Sequence, residues 1–215
     1  MTPLARSGIV TPHITDLMAS PAPAPIRSSP LQSQDWIRAA SVRFSQDGVE
    51  AVRIELLARD LGVSKGSFYW HFRDREDLLN SVLADWEREE IAWLEEASSF
   101  QRSPAARWAR FVERGAEPQR GRFESALRGW ARRDDRVSSR VASIEKERAI
   151  YIAGVLREVG FTPEAADAWS ELALLVYLGW LDRATRDPEF RLASPGLGEF
   201  LSQLVLAASA RSPKS

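Results

Sequence analysis

From Gln32 onward, apolar residues recur at the three- and four-residue spacing of helices that bury one face. Ile37, Ala40 and Phe44 share one helical face, and Gly48 suits the stop behind them. Ile54, Leu57, Ala58 and Leu61 repeat the stripe over a short second helix, closed by Gly62. A third helix is expected to start at Ser64, a residue type suited to the N-cap, with Phe68 and Phe72 four apart on its inner face. Leu79, Val82, Leu83 and Trp86 open a longer fourth helix. The same period predicts helices over 104–117, 121–133, 136–159, 163–187 and 195–209. Pro104, Pro163 and Pro195 fall at helix starts, where the missing N–H costs nothing, and Gly160 fits a stop. No run alternates with a period of two, so the expected fold is all-α, with about nine helices.

The first thirty residues break this pattern. They hold six of the twelve prolines, which block both helix and ladder hydrogen bonding. Residues 1–30 are expected to be a flexible Pro-rich leader, either a plain tail or an arm that touches DNA or a partner. They contain no continuous apolar stretch of the secretory type. The longest apolar run in the chain, Leu172–Leu181, has ten residues. A bilayer span needs roughly 20, so the chain reads as cytoplasmic, with no membrane partner.

Composition removes several chemistries. Cysteine is absent, which excludes disulfides, thiolate metal sites and a cysteine nucleophile. Only His13 and His71 are available for imidazole chemistry, too few for a His-rich metal site. No cofactor, metal ligand or catalytic residue is expected. The carboxylate pairs Asp134/Asp135 and Glu145/Glu147 stand among arginines and read as solvated faces. The net charge of −1 argues against indiscriminate binding of polyanions. Locally the picture changes: residues 62–75 carry Lys65, Arg73 and Arg75 against Asp74, a net of +2.

That basic segment coincides with two short helices joined by a Gly-containing turn, the helix-turn-helix layout. Leu57, Leu61, Val63, Phe68 and Phe72 point inward and leave the outer face of the third helix, with Lys65, Ser67, Tyr69, Trp70 and His71, for the major groove. Backbone N–H groups at its start can meet a phosphate. Ser67, Tyr69 and His71 offer donors to phosphate oxygens. Trp70 either contacts a thymine methyl or the sugar–phosphate backbone, or packs on a neighbouring helix.

The run from Ile37 to Leu83 resembles the N-terminal domain of the tetracycline-repressor (TetR) family. The resemblance rests on AASVRF at 39–44, DLGVSKGSFYWHF at 60–72 and RDREDLL at 73–79. Ser64, Gly66, Phe68, Tyr69, His71 and Phe72 each fall where that family expects its residue type. The resemblance implies a homodimeric DNA-binding regulator with a C-terminal ligand domain. It implies phosphate contacts from Ser67, Tyr69, His71 and Arg75, and base-facing positions at Lys65 and Trp70. One departure stands out: Val52 and Arg53 occupy the start of the second helix, where the family usually has Ser or Thr. A hydroxyl cap there is worth about 1 kcal/mol. Arg53 can reach a phosphate instead, although a cation at a helix N-terminus opposes the macrodipole.

The expected division is therefore 1–30 leader, 31–80 DNA-binding domain, and 81–215 effector-binding and dimerisation domain. The last of these is nearly neutral, and its helix over 163–187 is apolar on almost all sides, which calls for burial on almost all sides. Leu174, Leu175, Leu178 and Leu181, with Leu197, Leu201 and Leu204 of the last helix, are the expected dimer interface, a buried monomeric core being the other reading. The aromatics Trp93, Trp108, Phe111, Phe123, Trp130, Tyr151 and Trp169 are candidates for an apolar pocket taking a small apolar or aromatic effector, or for plain core packing. The stretch RGWARRDDRV at 128–137 resembles the effector domain of one TetR subset. Together these features point to a ligand-responsive homodimeric repressor of a palindromic double-stranded operator. The alternative is an activator, or a regulator controlled by a protein partner. A small helical enzyme lacks the histidines, and a purely structural dimer leaves the Lys65–Arg75 constellation unexplained.

Overall fold

The computed structural model describes residues 31–99, 103–115 and 117–187, together with the single residues 190 and 203. The elements below belong to the unit that begins at Gln32. They are α1 (Ser33–Asp47), a short 3₁₀ turn (Val49–Ala51), α2 (Ile54–Leu61), α3 (Lys65–Phe68), α4 (Arg75–Ser99), α5 (Pro104–Gly115), α6 (Pro118–Ala131), α7 (Asp135–Glu158) and α8 (Pro163–Arg186). Among the described residues there is no strand, and no helix is long and apolar enough to cross a membrane. The leader over 1–30 and nearly all of the helix expected over 195–209 lie outside the described residues.

Helix ends follow local chemistry. Gly62 closes α2 in the left-handed conformation, φ 69° and ψ 32°, which only glycine adopts without strain. Asp134 caps α7 by accepting from the Arg136 N–H at 3.0 Å, and Thr162 caps α8 by accepting from the Ala165 N–H at 3.3 Å. Two expectations shift. α6 starts at Pro118, not near 121, because Pro118 takes the first helical position behind Glu117. The third helix is shorter than its stripe suggests: α3 proper ends at Phe68 and continues as a turn, with the Phe72 N–H still bonded to the Phe68 carbonyl at 3.1 Å. Ser64 stands at the N-cap of α3 in extended conformation but makes no capping hydrogen bond with its side chain.

Two larger apolar cores run through the described helices, beside a small one of Leu174, Tyr177 and Leu181. The first gathers Trp36, Ile37, Ala40 and Phe44 of α1, Leu57 of α2, Phe68, Phe72, and Leu78–Trp86 positions of α4; Leu127 of α6 and Val137, Val141 and Ile144 of α7 complete it. The second joins Leu94 and Ala97 of α4, Trp108 of α5, Tyr151–Leu156 positions of α7, and Phe161, Ala166 and Ala173. α4 and α7 each serve both cores. The boundary expected near residue 80 therefore falls inside a continuous helix.

Between these two sets of contacts, the same helical stripes carry charge. Glu90 lies four residues from both Trp86 and Leu94, and Arg148 lies four from both Ile144 and Ile152. Glu90, Glu124 and Arg148 are all buried, at 2%, 1% and 4% exposure. Arg148 donates to Glu90 at 2.7 Å and to Glu124 at 2.6 Å, linking α4, α6 and α7. Arg114 donates to Glu90 at 2.9 Å, Arg120 pairs with both Glu90 and Glu124, and Arg128 lies 3.4 Å from Glu124. The Tyr177 hydroxyl of α8 reaches Glu124 at 3.2 Å. Its ring lies so close to Gly115 that a Cβ there would sit 2.8 Å from a ring carbon.

Burial alone would raise the Glu124 carboxyl, but the Arg148 guanidinium, helped by Arg120 and Arg128, brings it down to about 2. Burial, then Glu124, pushes the Tyr177 phenol up. A depressed carboxyl stabilises the fold above its ordinary pKa, and that contribution is lost as pH falls through the folded value. Urea denaturation should therefore show Glu124-dependent stability, about 3 kcal/mol, disappearing between roughly pH 4.5 and 2. Glu124→Gln should be less stable at pH 6 and show a shallower acid slope; an unchanged slope would contradict this. Arg148→Met should cost about 3–5 kcal/mol by leaving two buried carboxylates short of a partner.

Candidate nucleic-acid interface

The outer face around α3 is built on a fully buried inner one. Phe68 is 0% exposed and meets the buried Trp36 ring edge-on at 5.3 Å, and Phe72 stacks on Phe68 at 5.5 Å. A four-residue helix has no stability of its own, so these contacts fix it. On the other side, Trp70 is 88% exposed and Tyr69 54% exposed. Among the described residues, then, Trp70 does not pack on a neighbouring helix.

The remaining expected residues fall as follows. Arg53, Ser64, Lys65 and Gly66 are exposed, and Ser67, His71 and Arg75 are half-buried. Lys65 pairs with Glu55 of α2, so this base-facing candidate is held across the turn between the two helices. That pairing raises the Lys65 ammonium and lowers the Glu55 carboxyl, in both cases chiefly through their mutual hydrogen bond. Arg53 stands at the N-cap of α2 without a side-chain capping bond, as its residue type dictates. Gly66 has no steric need to be glycine, since a Cβ would meet only the Ser64 hydroxyl at 3.6 Å.

Arg75 departs from its expected role. Its Nε donates to the Val52 carbonyl at 2.6 Å and its Nη2 to the Val49 carbonyl. Its guanidinium clips the start of α4 to the 3₁₀ turn and the entry to α2. A phosphate contact from Arg75 therefore competes with two backbone acceptors.

The pocket candidates separate. Trp93, Trp108, Phe111 and Tyr151 form one aromatic group, with ring centres 5.7–6.1 Å apart. Trp169 packs on Phe161 at 6.4 Å in the same core. Phe123 and Trp130 do not join them. They face the first core, with their rings 4.9 Å and 5.9 Å from Phe44 of α1, because α6 lies between the two cores and turns these side chains toward α1. The void beside Trp93 and Phe111, lined also by Glu90, Arg114, Arg120, Arg148 and Tyr177, is only about 10 Å³, too small for an effector. The roomy cleft, about 470 Å³, lies instead where α1, α4, the end of α5 and the start of α6 meet, and its lining is mixed.

The interface candidates separate too. Leu174 and Leu181 are buried within the chain itself, at 5% and 3% exposure, and belong to its own core with Tyr177. Leu175 is 64% exposed, Leu172 43%, and Leu178 half-buried. Leu197, Leu201 and Leu204 lie outside the described residues. The buried charges Glu90, Glu124 and Arg148 were not among the candidates; the signal for them is a charged residue in register with an apolar stripe.

Residues 37–82 match the bacterial regulatory proteins of the tetR family. Over 47 residues the chain is 40% identical to the HTH-type transcriptional regulator AcrR of Shigella flexneri, a match that spans 22% of this chain and 20% of that one. The chain thus matches about a fifth of the length of that curated relative. The fold as a whole has wider likenesses. A transcriptional regulator from Saccharomonospora viridis in complex with choline superposes with a TM-score of 0.71 at 15% identity, covering 81% of this chain and 95% of that one. SmeT, the repressor of the Stenotrophomonas maltophilia multidrug efflux pump SmeDEF, superposes with a TM-score of 0.61 at 18% identity, covering 83% and 90%. At such identities these structures speak for the fold alone. Residues 37–82 thus carry a helix-turn-helix segment of the tetR-family type, set in an all-helical fold like that of these two solved regulators.

Proposed function

We propose that the chain is a homodimeric, effector-controlled repressor of a palindromic operator, with residues 31–80 reading DNA and residues 81–215 holding the effector and the partner copy. The observation that carries the reading is the pair Tyr69 and Trp70, exposed on a short helix whose inner side is locked by Phe68 and Trp36. Tyr69, Ser67, His71 and Arg53 serve as phosphate contacts, with Ser64 and Gly66 giving the backbone a close approach. Lys65 and Trp70 face the bases, with Lys65 exchanging Glu55 for a base acceptor. Leu172 and Leu175 give α8 an exposed apolar edge for the partner copy, and two-fold pairing sets two recognition helices on one face of the duplex. Names of structural relatives, a repressor in one case and a choline complex in another, agree with repression under small-molecule control.

Selection from a random DNA pool should recover a palindrome. In mobility-shift assays at matched salt, Trp70→Ala should weaken binding to it roughly 10- to 100-fold and leave non-specific binding nearly unchanged. Equal loss on both would remove Trp70 from base reading. Tyr69→Phe should weaken both alike by a few-fold, and unaltered affinity would exclude its phosphate contact. Leu175→Glu should shift sedimentation toward the monomer and abolish binding to the full palindrome; an intact dimer would rule out this edge of α8.

A further inference from the structure

The cleft between α1, α4, α5 and α6 is about 470 Å³, within the range that takes small molecules. Its outer wall holds Gln34, Arg38 and Val42 of α1 and Arg122 of α6; Trp86 and Phe123 supply apolar surface. At its inner end stand Arg114 and Arg120, which also line the small void against Trp93, Phe111 and Arg148. These two arginines therefore join the cleft to the buried ion cluster.

The cluster gathers four guanidiniums, and Glu89 and Glu117 of the cleft also act on Arg114. Arg114, Arg120 and Arg148 share the two buried carboxylates Glu90 and Glu124, and Arg128, the fourth cation, adds only the half-buried Glu145 at 3.5 Å. Each guanidinium carries a fork of N–H donors suited to a carboxylate, and the hydrogen bonds to Glu90 and Glu124 use only part of them. The Nε of Arg114 is buried and has no hydrogen-bond partner among the described residues. Burial lowers both the Arg114 and the Arg120 guanidinium, against the opposing pull of Glu89 and Glu124. Arg114 also lies over the Trp93 ring, 4.7 Å from its centre. The cleft does hold acidic groups, Asp85, Glu89 and Glu117; Asp85 is engaged by Gln34 at 3.0 Å and by Arg88.

We propose that this cleft takes an organic anion, a carboxylate on a flat apolar body, with the carboxylate on Arg114 and Arg120 and the body against Trp86 and Phe123. The inference rests on the effector-controlled reading above and names the chemical class of its effector. A carboxylate at that point meets the same donors that hold Glu90, and so reaches α4 directly.

The test uses the full-length protein without DNA, with 1-naphthoate as the probe and 1-naphthamide as its neutral match. Calorimetry and tryptophan fluorescence should show saturable naphthoate binding, at least tenfold tighter than the amide. Arg114→Gln should lose at least tenfold in naphthoate affinity, and Arg114→Lys, which keeps the charge, should lose less. Thermal unfolding of each variant confirms that it is folded, and the lysine variant keeps the test decisive if the glutamine one is not. Equal or tighter binding of the amide overturns the proposal and leaves effector control standing. Binding of neither probe, or naphthoate binding indifferent to Arg114, also overturns it. Arg114-dependent naphthoate binding upholds the anion site, and a separate mobility shift in which saturating naphthoate leaves operator affinity unchanged counts against effector control alone.

Discussion

Arg148 is the pin on which the described structure depends. A guanidinium this deep in the protein is tolerated only because Glu90 of α4 and Glu124 of α6 both reach it. Each carboxylate is in turn tolerable only with its cations, since an uncompensated buried ion costs several kcal/mol even after relaxation. The cluster therefore forms with α4, α6 and α7 in one mutual register and in no neighbouring one. Sliding α4 by a turn would strand Glu90 against apolar side chains. The two hydrophobic cores on either side supply most of the burial, but apolar contact is non-directional and would accept more than one alignment.

The register of α4 is also the register of the reading head. Its first half, Leu78 to Trp86, belongs to the same core as Trp36, Phe44 and Phe68. Arg75 adds a second restraint by fastening the start of α4 to the Val49 and Val52 carbonyls. The recognition segment is thus an extension of a long rigid helix rather than an independent module on a tether. α6 gives a second link: Glu124 faces the charge cluster, while Phe123 beside it in the chain meets Phe44 of α1.

Much of this was legible from periodicity. The helices over 104–115, 135–158 and 163–186 end within two residues of their expected bounds, because proline and glycine mark ends by backbone chemistry alone. Phe68 and Trp70 fall on opposite faces because two residues along a helix turn the side chain by about half a circle. What did not transfer was direction among alternative cores. Phe123 and Trp130 are apolar and near the expected pocket in sequence, yet α6 turns them toward α1, a choice made by tertiary packing. Leu174 and Leu175 are neighbours in one apolar run, and only the placement of α6 and α7 decides which is covered by its own chain. Counting charge over a whole segment hid the cluster, since a neutral sum says nothing about whether ions are buried. The residues themselves were less opaque: Trp86–Glu90–Leu94 and Ile144–Arg148–Ile152 put a charge on a stripe whose other members are core.

A well-packed apolar plug could match such a cluster in stability, so stability alone does not account for placing ions where two cores adjoin. An apolar plug, however, is indifferent to charge. A guanidinium responds to an added anion, and it does so more strongly in a low-dielectric setting. The same residues that fix the register of α4 are therefore those whose balance an anionic molecule at Arg114 and Arg120 would alter. To move the reading head, such a molecule must bind one arrangement of α4 and α6 better than another, since equal affinity for both shifts nothing. Under the proposal above, Glu90 supplies that difference. In the arrangement described here Glu90 already occupies donors of Arg114 and Arg120, so an incoming carboxylate gains most where α4 has drawn Glu90 away. Under the proposal above, anion binding and the position of α4 are two readings of a single competition for the same N–H groups.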